Sequence, residues 1–470
     1  MPEKKMNIKK YKQNAVVLIA VMFYLGTFVN AANSAPNELV KSMPVFAPTM
    51  PGLPSLQQRA TIQNKWLKQR LDLLIPDLMR EAGVDMWLII AREYNEDPVL
   101  ETMLPSTWMS ARRRMVLIFH DQGKNKGVER LAVARYPVGD LFPSAWDPDA
   151  QPDQWARVAE IIKEKNPSSI AVNISDTFPL ADGLSVSQYR QLKNALGKSL
   201  EERLVSNDSL AIGWLETRIP AEMATYQSIM RVAHRIVERG LSEEVITPGV
   251  TTTDDVVWWY RETLAQLKVS PWCQPSVSVQ RAGMSTFDIE KMVLENGNII
   301  LPGDLVHVDF CMSYMGLKTD TQQMAYVRRP NEMSAPKGLR EGLYAANKVQ
   351  DSLTNNFKAG LSGNEILFAA RKEAINSGLT PTIYTHPIGY HGHGAGPSIG
   401  SWEQQNGSKG TGDYRMRANT AYSIELNAIE AVPEWNDQKV RFMLEVDGYF
   451  TGNSFYYIDG RQTELLLIPR

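Results

Sequence analysis

An α/β domain followed by an α+β domain is the fold that this 470-residue chain predicts. Three observations point to it. The length exceeds what one ordinary core organises. Strand-like and helix-like segments alternate up to about residue 205, and amphipathic helices separated by long strands take over near Ile219. Composition is that of a globular protein, 43% hydrophobic and 22% charged. No internal repeat suggests a solenoid or propeller. No basic run persists beyond the first dozen residues, so no nucleic-acid partner is expected.

Taken in chain order, residues 1–31 read as a signal peptide. Lys4, Lys5, Lys9, Lys10 and Lys12 form a positive n-region, and an apolar stretch runs from Ala15 to about Phe28. That stretch is shorter than the ~20 residues needed to cross a bilayer, and small residues follow at Val29-Asn30-Ala31. The alternative is an uncleaved anchor. Without these residues, 45 basic side chains face 51 acidic ones, a formal charge of −6. A periplasmic or secreted protein with no stable membrane association is the expectation. Residues 32–57, rich in Pro, Ser and Asn, read as a linker or arm. Cys273 and Cys311 are the only cysteines. Isolated cysteines are more often small buried hydrophobes than a bridge, and in an oxidising compartment pairing stays open.

Residues 58–205 supply the α/β domain. A helix is predicted over 58–82, with Trp66, Leu67, Leu71, Leu74 and Leu78 at three- and four-residue spacings. Strands are predicted over 85–91, 114–120, 131–136 and 169–174, with helices over 155–165 and 187–196. Residues 206–470 form the second domain. Pro220 suits a first helical turn, and an apolar stripe from Met223 to Ile236 ends at Gly240. Thr253 caps a helix through Leu267, and further helices fit 337–358 and 364–377. The strands predicted over 304–312, 317–327, 422–428 and 440–446 carry the chemistry.

Alternation along the first of these puts His307, Asp309 and Cys311 on one face. A tight turn near Tyr314-Met315-Gly316 would lay Asp320 beside Asp309. Two carboxylates in a sheet interior repel and raise each other's pKa unless a cation lies between them. Three of the chain's six histidines, His386, His391 and His393, fall within eight positions among glycines that permit close backbone approach. Glu425 and Glu445 occupy the last two strands. Each alone reads as an exposed strand acid; the set is more specific than any member.

Together the five residues resemble the metal-binding signature of the pita-bread metallopeptidases: methionine aminopeptidase, Xaa-Pro aminopeptidase and prolidase. That family orders its ligands Asp, Asp, His, Glu, Glu, with the first two eleven positions apart, as Asp309 and Asp320 are. Proline-directed members add a second His seven positions after the ligand His, as His393 follows His386. The resemblance covers residues 215–470, and the preceding region resembles a creatinase-like domain. It implies metal ligands Asp309, Asp320, His386, Glu425 and Glu445, with Glu425 also passing a proton and His393 stabilising developing charge. It implies two divalent ions, Mn²⁺ first and Co²⁺ or Zn²⁺ as alternatives, which suits a hard, oxygen-rich donor set. It implies a homodimer acting on a peptide or small amide. Hydrolysis of the bond before proline is the leading expectation. A two-metal hydrolase of a non-peptide amide or ester, and a non-catalytic binding protein on the same fold, are the alternatives.

Three positions depart from the pattern. Leu426-Asn427-Ala428 follow Glu425 where the family has Pro-Gly soon after. Met443 stands where proline-directed members often carry Arg, with Arg441 two positions further back. Met292 stands where a substrate-contacting His is expected. His391 and Arg441 are the candidate substitutes at the substrate.

Overall fold

The computed structural model describes residues 53–284 and 297–470. The predicted signal peptide, most of the predicted arm and Met292 lie outside the described residues. Five strands form the first sheet: β1 (Met86–Arg92), β2 (Arg114–Asp121), β3 (Val128–Val133), β4 (Ile170–Val172) and β5 (Leu204–Ser206), in the order β3-β2-β1-β4-β5. Around it lie α1 (Leu56–Leu73), α2 (Ile75–Ala82), α3 (Gln154–Lys165), α4 (Val186–Leu196) and α5 (Asp208–Glu216). Trp87 stacks on Phe119 with centroids 5.5 Å apart, in a core that also takes Leu67, Leu71, Leu210 and Trp214.

Two expectations change here. The predicted helix over 58–82 is two helices, because Pro76 occupies the first turn of α2 and cannot continue α1. The predicted strand over 131–136 starts earlier and stops at Val133. The hairpin closed by Gln122 N–H to the Gly127 carbonyl (2.9 Å) sets the register at Val128, and the chain departs before Pro137.

The second sheet is antiparallel along its main path: β6 (Ser276–Gln280), β7 (Leu305–Tyr314), β8 (Leu317–Val327), β13 (Gln438–Phe450), β11 (Thr420–Ser423) and β10 (His386–Ile388) are successive neighbours. β9 (Pro381–Ile383) pairs with β12 (Leu426–Val432), which pairs with β13. The predicted hairpin turn is present, with Met315 and Gly316 both at positive φ (52° and 81°), as a two-residue hairpin requires. Helices α6 (Pro220–Gly240), α7 (Thr253–Gln266), α8 (Lys337–Thr354) and α9 (Gly363–Asn376) complete this half. Leu339, Leu343 and Leu353 of α8 and Leu367 of α9 share a core with Tyr422, Leu426, Phe442 and Leu444. Cys273 and Cys311 are joined in a disulfide, which settles the open pairing.

The two halves meet through a buried charged cluster. Arg70 of α1 reaches Glu222 of α6 at 3.0 Å, and both side chains are fully buried. Glu222 also accepts from the Ile219 N–H at 3.0 Å and from the Tyr390 hydroxyl at 2.9 Å. Arg70 and Arg218 both lie over the Tyr390 ring, each 4.8 Å from its centroid. Burial alone would raise the Glu222 pKa; Arg218 and Arg70 outweigh it and hold the carboxyl below its usual value. A buried pair of this kind is costly to break from one side, because the partner charge is left uncompensated. Arg70→Met should therefore cost about 3–5 kcal/mol in urea unfolding. Lys68→Met, which removes only an exposed i,i+4 pair with Asp72, should cost no more than about 1 kcal/mol.

Candidate metal centre

The strand registers place the predicted ligands in two adjacent rows on one face of the second sheet. Asp309 pairs with Gln322, and Gln322 pairs with Glu445. The β12–β13 register, Leu426 to Leu444, continued by one residue, sets Glu425 beside Glu445. The second row lies two residues along every strand, hence on the same face. Cys311 pairs with Asp320, Asp447 follows in register, Ser423 pairs with Asp447, and His386 pairs with Ser423.

The predicted strand over 422–428 is interrupted at Ile424–Glu425, although its register with β13 is unbroken and Ile424 N–H still bonds the Val446 carbonyl at 3.0 Å. Glu425 therefore sits in the short gap between β11 and β12, anchored by its N–H to the Thr385 hydroxyl (3.0 Å).

His386 Nε2 faces three carboxylates: Glu445 Oε1 at 3.5 Å, Glu425 Oε2 at 3.8 Å and Asp320 Oδ2 at 3.9 Å. Ligand atoms of Asp320, His386 and Glu445 all lie within 4.8 Å of one another. His386 Nδ1 lies 3.0 Å from the Pro387 carbonyl. A carbonyl only accepts, so this contact assigns the proton to Nδ1 and leaves the Nε2 lone pair for a metal. Nε2 and Asp320 Oδ1 are buried with no hydrogen-bond partner. Burial raises the carboxyl pKa values, and Glu445 adds repulsion in each case: Asp309 is pushed up to about 8, while Asp320 and Glu425 are raised as well. Close-set carboxylates with an unpartnered imidazole nitrogen among them fit a divalent cation.

Three residues of the site were not anticipated. Gln322 Nε2 donates to Glu425 Oε1 (2.6 Å) and Glu445 Oε2 (3.1 Å), while its Oε1 lies 2.9 Å from His307 Nε2. Asp447 is fully buried beside Asp320, accepting from its N–H at 3.4 Å. Ser423 donates to Glu445 Oε1 at 2.6 Å. Their positions two residues from Asp320, Glu445 and Glu425 were the available signal.

His393 meets the His386 ring edge-to-face at 4.8 Å and Trp272 at 5.4 Å, at the open side of the site. Trp272 packs so closely on the loop that a Cβ at Gly392 would lie 2.3 Å from its ring. Trp272 also donates to the Thr319 carbonyl at 2.8 Å, whereas Trp258 is exposed on α7. His391 and Arg441 lie outside the two rows. His391 lines a separate 300 Å³ cavity with Lys318 and Trp108. The Arg441 guanidinium stacks on Trp402 at 4.7 Å, and Trp402 contacts Tyr384 at 5.1 Å.

Residues 228–452 match the model of metallopeptidase family M24. The C-terminal half is an M24 metallopeptidase domain. Nearly the whole chain outside the N-terminus shares its architecture with solved relatives. An X-Pro aminopeptidase from Thermotoga maritima is 14% identical with a TM-score of 0.59, covering 83% of this chain and 99% of its own. A Bacillus anthracis Xaa-Pro dipeptidase is 17% identical with a TM-score of 0.55, covering 87% and 99%. The N-terminal domain of FACT complex subunit SPT16 from Cicer arietinum, 10% identical with a TM-score of 0.51, covers 84% and 96%. At these identities the likeness carries the fold alone, so the M24 domain's activity must be argued from its side chains. No curated protein matches the chain in sequence.

The raised carboxyls give the M24 domain a pH signature. Unfolded Asp and Glu titrate near 4, so between about pH 4 and 8 the metal-free folded protein holds protons that the unfolded chain has released. The stability from Asp309 and its neighbours is complete below about pH 4 and lost as pH rises toward 8. In chelator, the thermal midpoint should fall across that window; saturating Mn²⁺ should largely abolish the fall. A metal-free midpoint that rises or stays level would contradict the assignment.

Proposed function

We propose that the protein is an exported, two-metal peptidase that hydrolyses the bond preceding proline, as an Xaa-Pro aminopeptidase or dipeptidase. The observation that carries this reading is His386 Nε2, unpartnered and within 3.9 Å of Asp320, Glu425 and Glu445. Asp309, Asp320, His386, Glu425 and Glu445 would hold the ions. Bound divalent ions would polarise the scissile carbonyl and lower the pKa of an attacking water. Mn²⁺ suits the oxygen-rich donor set.

The chain's own residues do the rest. Glu425, between β11 and β12 and steadied by Gln322 and Thr385, accepts the proton from the attacking water and delivers it to the leaving amine. Gln322 also fixes Glu445, and Ser423 fixes its other oxygen, so both glutamates keep one orientation through the reaction. His393, held between His386 and Trp272, stabilises charge developing on the substrate oxygen. The Cys273–Cys311 bridge supports export, since disulfides persist in oxidising compartments. A second reading, hydrolysis of a non-peptide amide or ester at the same site, draws on Met443, which presents an apolar side chain on the site's face where proline-directed members often carry Arg.

Purified protein with Mn²⁺ should release free amino acid from Xaa-Pro peptides. Asp320→Ala should abolish both metal loading and turnover. His393→Ala should keep the metal and lower kcat about 10²–10³-fold. Absence of turnover with Mn²⁺, Co²⁺ and Zn²⁺ would sink the proposal; loss of metal from His393→Ala would overturn its assigned role.

A further inference from the structure

We propose that a cationic cavity on the first half of the molecule binds the acidic C-terminal tail of a peptide whose N-terminal end occupies the metal centre. This rests on the peptidase reading above. The cavity has a volume of about 520 Å³, and Arg112, Arg113, Arg114 and Arg135 line it against a single acid, Glu93. That volume falls within the usual range for ligand pockets, roughly 300–1,000 Å³.

The positive charge there is largely uncompensated. Glu93 is engaged with the Arg113 backbone N–H at 3.4 Å. Arg135 has Asp149 at 3.4 Å. Arg114 donates to two neutral amides, Gln188 at 3.0 Å and Gln191 at 3.1 Å. Arg112 and Arg113 have no acidic side-chain partner among the described residues, and both are exposed. Arg113 adopts a left-handed φ of 57°, a conformation uncommon for a non-glycine residue. Trp108 and Trp146 form apolar walls, so the cavity offers guanidinium forks for carboxylates and flat surface for the connecting chain.

Position sets the occupant. Trp108 also lines the 300 Å³ cavity that contains Lys318 and His391. Lys318 lies on the same strand face as Asp320 and two residues from it, about 7 Å along β8. His391 lies in the loop that follows β10 and carries His393, and its buried Nδ1 has no hydrogen-bond partner. An extended peptide leaving the metal centre past Lys318 would reach the arginines across Trp108. A free polycarboxylate would satisfy the same arginines without touching the metal centre, and a polynucleotide would need a longer basic track than four residues supply.

The test uses metal-loaded protein and two peptides identical through the Xaa-Pro end, one ending in Glu-Glu-Glu and the other in Ala-Ala-Ala. Three exposed ion pairs predict a kcat/KM about tenfold higher for the acidic tail, carried by KM and lost at high salt. In the Arg112→Ser/Arg113→Gly variant, where glycine accepts the positive φ, that ratio should fall toward one. If no peptide is cleaved, calorimetry still reads the cavity alone: the acidic peptide should bind wild type and not the variant. Equal kcat/KM for the two peptides, no binding heat, or citrate binding at the arginines with no tail preference would overturn the proposal.

Discussion

Mutual repulsion among Asp309, Asp320, Glu425 and Glu445 is the constraint on which the rest of this structure depends. The sheet brings them, with Asp447, onto one face in two neighbouring rows and buries most of them. Gln322, which bridges two of the acids, is neutral, and the unpartnered His386 Nε2 faces three of them. A sheet so built is stable when the carboxyls are protonated or when cations sit among them. Near neutral pH the second solution is the one that leaves the carboxylates able to work.

Other features serve to hold that face in place. Arg70, Arg218, Glu222 and Tyr390 form a buried charged cluster that ties α1 and α6 to the loop that follows β10 and bears His393. The disulfide joins the segment carrying Trp272 to β7, and Trp272 in turn packs against His393 and Gly392. A close contact explains the glycine at position 392: the Trp272 indole occupies the space that a Cβ would need. The bridge also removes the Cys311 thiol from the ligand face, leaving oxygen and nitrogen donors that favour harder metals.

Much of this was legible in the residues. Alternation in β7 and β8 fixed the shared face of Asp309 and Asp320, since strand side chains repeat every second position and the hairpin turn allowed little slip. The order of acids and histidines pointed to a candidate ligand set, of which the structure brings Asp320, His386 and Glu445 within 4.8 Å of one another. What escaped depended on contacts between distant segments. Gln322 and Ser423 gain their roles only when β8, β11 and β13 are side by side, and an amide or hydroxyl in a strand carries no signal of its own. Pro76 was visible but its consequence, two helices in place of one, was outweighed by a periodic apolar pattern that runs through it. His391 was a candidate at the substrate by its company, and its side chain lines the cavity that also holds Lys318 and Trp108.

The most direct test is a count of metal ions per chain, by native mass spectrometry of protein stripped with chelator and then equilibrated with Mn²⁺. The account requires two ions per chain, with loading reduced when Gln322 is replaced by Leu and the glutamates lose their common donor. A chain that takes up no metal at neutral pH, with its carboxyls ionised and its fold intact, would contradict it.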